Sequence, residues 1–301
     1  MTAPPQITDT HLHLWDLEKS PYAWLDSAPP ALRRSGRWAE VRDGLARLGA
    51  TRVILVQADD TAEDTAHLQA TARAIEGEAA PDGEAEADGS GVRADVVGWL
   101  PLMDPGAVAA ALADPACADH LVGVRHLVHD ARDPGFLERP EVSGSLDLLA
   151  DAGLPLDVPD AFPRHMEQVA RLAARHPDLT LVLDHLGKPP LGDAAAMASW
   201  RSSLEAIAAA PRAVAKLSGL STSGNGDIAS AVETALHLFG PERLMVGSDW
   251  PIAPEPFTLT AGFEPLLEHL ETVLGGDQHA RAAVLHGTAA RIYRRLEEPS
   301  L

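Results

Sequence analysis

Short apolar runs alternate with longer stretches of helical pattern along nearly the whole chain, and this alternation limits the fold more than any other feature of the sequence. The pattern is typical of parallel strands joined by crossover helices. The eight runs lie at residues 7–13, 52–57, 96–102, 121–127, 154–158, 179–185, 213–218 and 243–249. Eight strands in a chain of 301 residues favour a closed barrel over an open sheet. We therefore predict an α/β protein with a (β/α)8 TIM-barrel fold.

The whole chain, residues 1–301, is predicted to form a single barrel domain, because no Pro-rich or Ser-rich linker divides it. Between the runs, apolar residues recur at helical intervals, as at Met166, Val169 and Leu172. One stretch, residues 77–94, is rich in Ala, Gly and acidic residues. We interpret it as a solvated loop on the face opposite the active site.

The charge balance excludes several classes of partner. Acidic residues outnumber basic ones by 44 to 24, and the formal net charge of −20 repels nucleic acids and anionic membranes. The amino terminus has neither a basic start nor an apolar run, and no segment is long and apolar enough to cross a bilayer. Cys117 is the only cysteine, so no intramolecular disulfide forms. We expect a cytoplasmic protein that acts on a small molecule, of undetermined oligomeric state.

A His-x-His pair ends the first apolar run, in the sequence Asp9-Thr10-His11-Leu12-His13. Residues two apart on a strand point to the same side, so both imidazoles are expected to project together. At the carboxyl end of a barrel strand they would lie at the mouth of the barrel, where barrel enzymes hold their active sites.

Polar residues also stand where other apolar runs stop, namely Arg125, His185 and Asp249. Because the carboxyl ends of barrel strands share one face, these side chains are expected to converge with the two histidines. We predict a catalytic site made of His11, His13, His185 and Asp249.

Several motifs together resemble the amidohydrolase superfamily, and within it the sugar-lactone and dicarboxylate lactonases that include fuconolactonase-like and pyrone-dicarboxylate lactonase-like enzymes. The resemblance spans nearly the whole chain. It rests on Thr8-Asp9-Thr10-His11-Leu12-His13-Leu14-Trp15-Asp16, Val56-Gln57-Ala58, Gly98-Trp99-Leu100, Gly123-Val124-Arg125, Asp184-His185-Leu186-Gly187-Lys188-Pro189, Lys216-Leu217-Ser218-Gly219 and Gly247-Ser248-Asp249-Trp250-Pro251.

The resemblance implies hydrolysis of a cyclic ester, with Asp249 accepting a proton from the attacking water and the histidines polarising the carbonyl. Arg125 would anchor a carboxylate or hydroxyl of the substrate, or else form a structural salt bridge. Four further residues are expected to contribute to substrate binding, although Trp15 would serve equally well as ordinary core: Gln57, Asp157, Trp15 and Lys188.

The metal requirement stays open at this point. His11, His13, His185 and Asp249 make an adequate zinc set, while the resemblance includes members that work without a metal, and we favour no required cofactor. A two-metal centre is disfavoured because the fourth strand ends in Arg125-His126 rather than in a bridging lysine. Two other functions remain: a metal-dependent decarboxylase of the same superfamily, and a barrel that binds without turnover.

Overall fold

The computed structural model describes residues 6–78 and 91–296. Its strands form one eight-stranded parallel sheet in sequential order, with each strand paired to the next along the chain. The strands are β1 (Ile7–Leu12), β2 (Ala50–Val56), β3 (Arg93–Gly98), β4 (Leu121–Arg125), β5 (Leu156–Val158), β6 (Leu181–Leu183), β7 (Ala213–Leu217) and β8 (Leu244–Val246).

Helices follow the strands and cover the outside of the sheet. Among the described residues, the α-helices are α1 (Arg42–Leu48), α2 (Ala62–Glu78), α3 (Pro105–Ala113), α4 (Pro115–Ala118), α5 (Pro140–Ala152), α6 (Met166–Arg175), α7 (Ala194–Ala208), α8 (Ala229–Phe239), α9 (Leu259–Leu274), α10 (Gln278–Ala282) and α11 (Thr288–Ile292). The predicted (β/α)8 barrel is confirmed. In α6, Met166, Val169 and Leu172 are buried, as their helical spacing predicts.

The first and last strands meet and nearly close the barrel. Leu12 and Trp250 form a parallel bridge, and the backbone N–H of Asp249 donates to the carbonyl oxygen of His11 at 2.7 Å. The N–H of His13 in turn donates to the carbonyl oxygen of Trp250 at 2.8 Å. This seam joins the two ends of the sheet at the level of the predicted site.

The predicted strands run too far at their carboxyl ends. The sixth run was expected to remain extended through residue 185 and the eighth through residue 249, but β6 ends at Leu183 and β8 at Val246. His185 and Asp249 instead have φ values of 55° and 58°, in the left-handed region. Both residues therefore stand on tight turns just past their strands, which aim their side chains across the barrel mouth rather than along the sheet.

Apolar side chains fill the interior of the barrel beneath the mouth. These buried residues come from β2, β3, β4, β6, β7 and β8 and include Ile54, Val56, Val97, Val122, Val182, Val214 and Met245. Tyr293, which follows α11, packs against them, and its carbonyl oxygen accepts from Arg52 in β2. The barrel is thus a packed core and not a channel.

The sequence also predicts a solvated acidic loop and no membrane-spanning segment. Most of the acidic stretch 77–94, namely residues 79–90, lies outside the described residues. None of the helices in the described ranges is both long and apolar enough to span a bilayer.

Candidate active site

Three imidazoles and one carboxylate converge at the carboxyl end of the barrel. Oδ1 of Asp249 lies 3.7 Å from Nε2 of His11, 3.5 Å from Nε2 of His13 and 3.7 Å from Nε2 of His185. The Nε2 atoms of His11 and His13 are 3.2 Å apart. All four residues are at least 96% buried, so these contacts are made with little competition from bulk water.

The two histidines of β1 have different neighbours. His13 donates from Nδ1 to the carbonyl oxygen of Val56 at 2.8 Å, because a carbonyl only accepts. In its neutral form its Nε2 is then an acceptor. Nδ1 of His11 faces both Nζ of Lys216 and a carboxylate oxygen of Asp184, each at 3.3 Å.

This environment allows two proton arrangements. If Lys216 donates to Nδ1 of His11, then Nε2 of His11 carries the proton and donates to His13. If Nδ1 of His11 donates to Asp184, both Nε2 atoms are acceptors and need a cation between them. Lys216 and Asp184 thus satisfy His11 with or without a bound ion.

A network of buried charges supports His11 from below. Nζ of Lys216 lies 2.6 Å from Asp157 and 3.0 Å from Asp184, and all three side chains are fully buried. Arg125 donates from Nε to Asp184 at 3.0 Å, and the hydroxyl of Tyr293 donates to Asp157 at 2.6 Å. Two cations and two carboxylates are therefore matched beneath the site.

Burial and neighbouring charges set the protonation of the site. Burial lowers the pKa of His11 well below its ordinary value and also lowers that of His185. Burial alone would raise the pKa of Asp249, but the adjacent His185 and His13 hold it below its usual range. Near neutral pH His11 and His185 are therefore neutral, and Asp249 is an ionised carboxylate that can accept a proton.

A cavity of about 270 Å³ opens above these groups. Its polar lining comprises His13, Ser27, Arg125, His129, Asp160, His185, Lys188 and Asp249. Its apolar lining comprises Trp24, Ala28, Ala58, Leu127 and Ile252. One apolar side with several convergent polar groups is the usual composition of a small-molecule site.

The other residues expected from the sequence divide into two groups. Arg125 and Lys188 line the cavity, while His11 lies behind His13 and Asp249 without lining it. Arg125 also makes the salt bridge with Asp184 that was the structural alternative for this residue.

Three of the expected substrate-binding residues do not line the cavity. Asp157 lies in the charged network below. Gln57 donates from Nε2 to the backbone carbonyl oxygen of Arg125 at 3.1 Å, and the backbone carbonyl oxygen of Gln57 accepts from Nη1 of Arg125 at 2.8 Å. Trp15 is buried behind His13, with ring centroids 6.1 Å apart, and donates to the carbonyl oxygen of Arg34. These residues support groups that face the cavity.

The sequence does not predict the positions of two residues, Lys216 and Asp160. Lys216 belongs to the seventh apolar run, but nothing in its sequence surroundings indicates contact with His11. Asp160 lines the cavity three residues after Asp157, on the loop that follows β5. A carboxylate just beyond a strand's carboxyl end was the available signal.

The donor set fits a metal ion. His11, His185 and Asp249 each offer a ligand atom within 4.8 Å of the others. Donors about 2.0–2.1 Å from a tetrahedral zinc ion lie about 3.3–3.4 Å from one another. Oδ1 of Asp249 lies 3.7 Å from Nε2 of His11 and 3.7 Å from Nε2 of His185, which is near this spacing, so these three residues fit one divalent ion.

The amidohydrolase family model matches residues 8–295, nearly the whole length of the barrel. The chain belongs to the amidohydrolase family. The resemblance read from the sequence motifs is thereby confirmed.

Individual relatives extend this likeness. The amidohydrolase is 32% identical to an L-fucono-1,5-lactonase of Burkholderia multivorans, over 97% of each chain. It is 29% identical to an L-fucono-1,5-lactonase of Burkholderia ambifaria, over 97% of this chain and 96% of that protein. The crystal structure of an amidohydrolase from Burkholderia multivorans with bound zinc superimposes with a TM-score of 0.80 and 28% identity, over 96% of this chain and 99% of that one.

Proposed function

We propose that this amidohydrolase opens a lactone, the cyclic ester of a sugar acid or a dicarboxylate. The observation that carries the proposal is the ionised carboxylate of Asp249, held among three imidazoles at the floor of a cavity that also presents Arg125 and Lys188. Ester hydrolysis needs a base for water and donors for the developing oxyanion, and this cavity offers both. The two lactonases similar over nearly the full chain support the same reaction.

In the proposed mechanism, Asp249 takes a proton from water while the water oxygen bonds to the lactone carbonyl carbon. Arg125 donates to the oxyanion that forms, and His185 joins it from Nε2 when the hydroxyl of Ser218, 2.9 Å away, donates to Nδ1. The ring C–O bond then breaks, and Asp249 returns the proton to the ring oxygen. The product is an open hydroxy acid.

In this proposal His11 is a positioning residue, unlike His13 and His185, which face the cavity. It lies behind the cavity floor and holds the orientation of His13 through the 3.2 Å contact between their Nε2 atoms. A divalent ion bound by His11, His13, His185 and Asp249 would act as a Lewis acid on the carbonyl oxygen. We propose that such an ion is not required, since the chain itself provides both a base and donors.

Turnover of lactones by the purified protein tests this function. We propose to strip the protein of metal and to screen it with a pH indicator against aldonolactones and dicarboxylate lactones. Acid release by the wild type, but not by Asp249→Asn, is expected. Acid release from no lactone, together with metal-dependent loss of carbon dioxide from an aromatic acid, would instead favour the decarboxylase. Binding of lactones without turnover would favour the non-catalytic barrel.

A further inference from the structure

Asp160 is a charged cavity residue to which the proposed mechanism gives no task. It follows β5 on a short loop and lines the cavity together with Lys188 and Asp249. Its Oδ1 is buried and has no hydrogen-bond partner among the described residues. A buried carboxylate oxygen without a donor is costly, so a ligand that supplies donors would be favoured there.

The loop that carries Asp160 is held in place. Asp160 itself has a φ of 42°, in the left-handed region that non-glycine residues seldom adopt. Two residues later, the N–H of Phe162 donates to the carbonyl oxygen of Gly187 at 2.8 Å, which ties this loop to the turn that carries His185. A strained residue that is fixed in position beside a reactive cluster is a recognised sign of function.

The charges around Asp160 indicate what kind of ligand it receives. The cavity lining contains two cations, Arg125 and Lys188, and two carboxylates, Asp160 and Asp249. Arg125 is already paired with Asp184, at 3.0 Å, and Lys188 donates to the hydroxyl of Thr222 at the same distance. A dianionic lactone would bring its two charges beside two carboxylates, so that Lys188 and the donors that Arg125 does not use on Asp184 would face four negative charges.

We infer that Asp160 is a specificity-determining residue that accepts hydrogen bonds from substrate hydroxyl groups and so selects an uncharged, polyhydroxylated lactone over a dicarboxylate one. This inference rests on the proposed lactonase function. Hydroxyl donors form charge-assisted hydrogen bonds with a carboxylate, whereas an anionic substituent in the same position is repelled. Asp160 acts in binding and leaves the proton transfer to Asp249.

Three probe lactones test the inference: gluconolactone, which carries several hydroxyls, delta-valerolactone, which carries none, and a pyrone dicarboxylate. The values of kcat/KM are measured for the wild type, Asp160→Asn and Asp160→Ala. Asp151→Asn is the matched control, since Asp151 is exposed on α5 and does not line the cavity.

We expect the wild type to prefer gluconolactone. A hydrogen bond to a charged group is typically worth about tenfold or more in binding, so kcat/KM for gluconolactone should fall about tenfold in Asp160→Asn and further in Asp160→Ala. The value for delta-valerolactone should fall much less, the value for the dicarboxylate should rise, and Asp151→Asn should match the wild type.

Each contrary result has a distinct meaning. An equal loss on all three lactones, or no loss on gluconolactone, overturns the role of Asp160 while lactone hydrolysis stands. A wild type that prefers the dicarboxylate does the same. A wild type that opens none of the panel defeats the proposed function, and the inference fails with it.

Discussion

A Cβ atom at Gly219 would lie 2.5 Å from Oδ2 of Asp249, so the turn after β7 packs its backbone directly against the carboxylate. The same atom would lie 2.7 Å from Nδ1 of His185. Gly219 also has a φ of 57°, which glycine adopts without strain. Glycine is therefore required at this position both for its conformation and for its missing side chain.

Gly219→Ala is expected to displace Asp249 and His185 and to lower kcat by at least about tenfold, because small misplacements of reacting groups are costly. Gly153→Ala is the matched control. Gly153 has a φ of +71° but nothing within 4 Å of its Cβ position, so it carries the backbone strain without the clash. Equal kcat values for the two folded variants would contradict this prediction.

Asp249→Asn should lower kcat by at least about 10² while the protein stays folded, since general-base catalysis typically supplies about 10²- to 10⁴-fold. Asparagine keeps the shape of the side chain and removes its basicity. Initial rates on the best lactone of the panel measure the loss, and circular dichroism checks the fold. Near-wild-type hydrolysis by the folded variant would refute the role of Asp249 as base.

Removal of metal should leave lactone hydrolysis largely intact, because Lys216 can satisfy His11 when no ion is bound. Zinc should nevertheless bind to the stripped protein, as measured by calorimetry, and His11→Ala should weaken that binding. His13→Asn should reduce turnover less than Asp249→Asn does. Loss of activity on chelation, restored by zinc and mirrored in His13→Asn, would show that the ion is needed.

Lys216→Met should lower the free energy of unfolding by about 3–5 kcal/mol, because it leaves two buried carboxylates without their shared cation. Lys216 is fully buried 2.6 Å from Asp157. Arg73→Met is the control: Arg73 is 52% exposed and pairs with the surface carboxylate of Asp119. Exposed pairs contribute about 0–1 kcal/mol.

Urea unfolding of both variants measures this difference. Equal losses of stability in Lys216→Met and Arg73→Met would mean that the buried pair contributes no more than the exposed one. A double variant, Lys216→Met with Asp157→Asn, should recover part of the loss, since it removes one of the stranded charges.

Asp60→Asn tests the pH dependence of stability. Burial raises the pKa of Asp60 from 3.8 to about 6, although the N–H of Leu127 and the amide of Gln57 oppose the shift. The folded protein therefore binds this proton more tightly than the unfolded chain does. As pH rises from about 4 to about 6, the group's contribution to the free energy of unfolding decreases.

Asp60→Asn should therefore be more stable, relative to the wild type, at pH 8 than at pH 4. The difference between the two free energies of unfolding should change by up to about 3 kcal/mol between these pH values. Urea titrations at the two pH values measure it. Asp43→Asn, which alters a carboxylate that is 80% exposed, serves as the control. A difference that does not change with pH would contradict the raised pKa.

The sequence predicted the barrel because the period of the apolar runs reports burial directly, and the order of the strands follows from their alternation with helices. It also predicted that His11, His13, His185 and Asp249 converge on one cavity, since carboxyl ends of barrel strands meet there. The structure brings all four together, but His11 lies behind the other three and does not line the cavity. It did not predict that His185 and Asp249 stand on left-handed turns, because φ at these positions depends on contacts with the neighbouring strands and not on local residue preference.

The roles of residues near the strand ends were harder to predict. Asp157 lies within the fifth apolar run, and Asp160 lies two residues beyond its end. The structure places Asp157 in β5, where it pairs with Lys216, and Asp160 in the cavity lining, and this difference depends on where β5 ends. Lys216 was not recognised because its partners come from β5 and from the turn after β6, which are distant in sequence.

Because the seam between β1 and β8 places Asp249 beside His11, enzyme activity reports on the closure of the barrel. Asp249 and His11 come from nearly opposite ends of the chain and are joined there by a single backbone hydrogen bond of 2.7 Å. Contacts between residues so far apart in sequence form late, because the intervening chain must first become ordered. During refolding, native-like helical content should therefore return before turnover does. A delay between the two signals would time the closure of this seam.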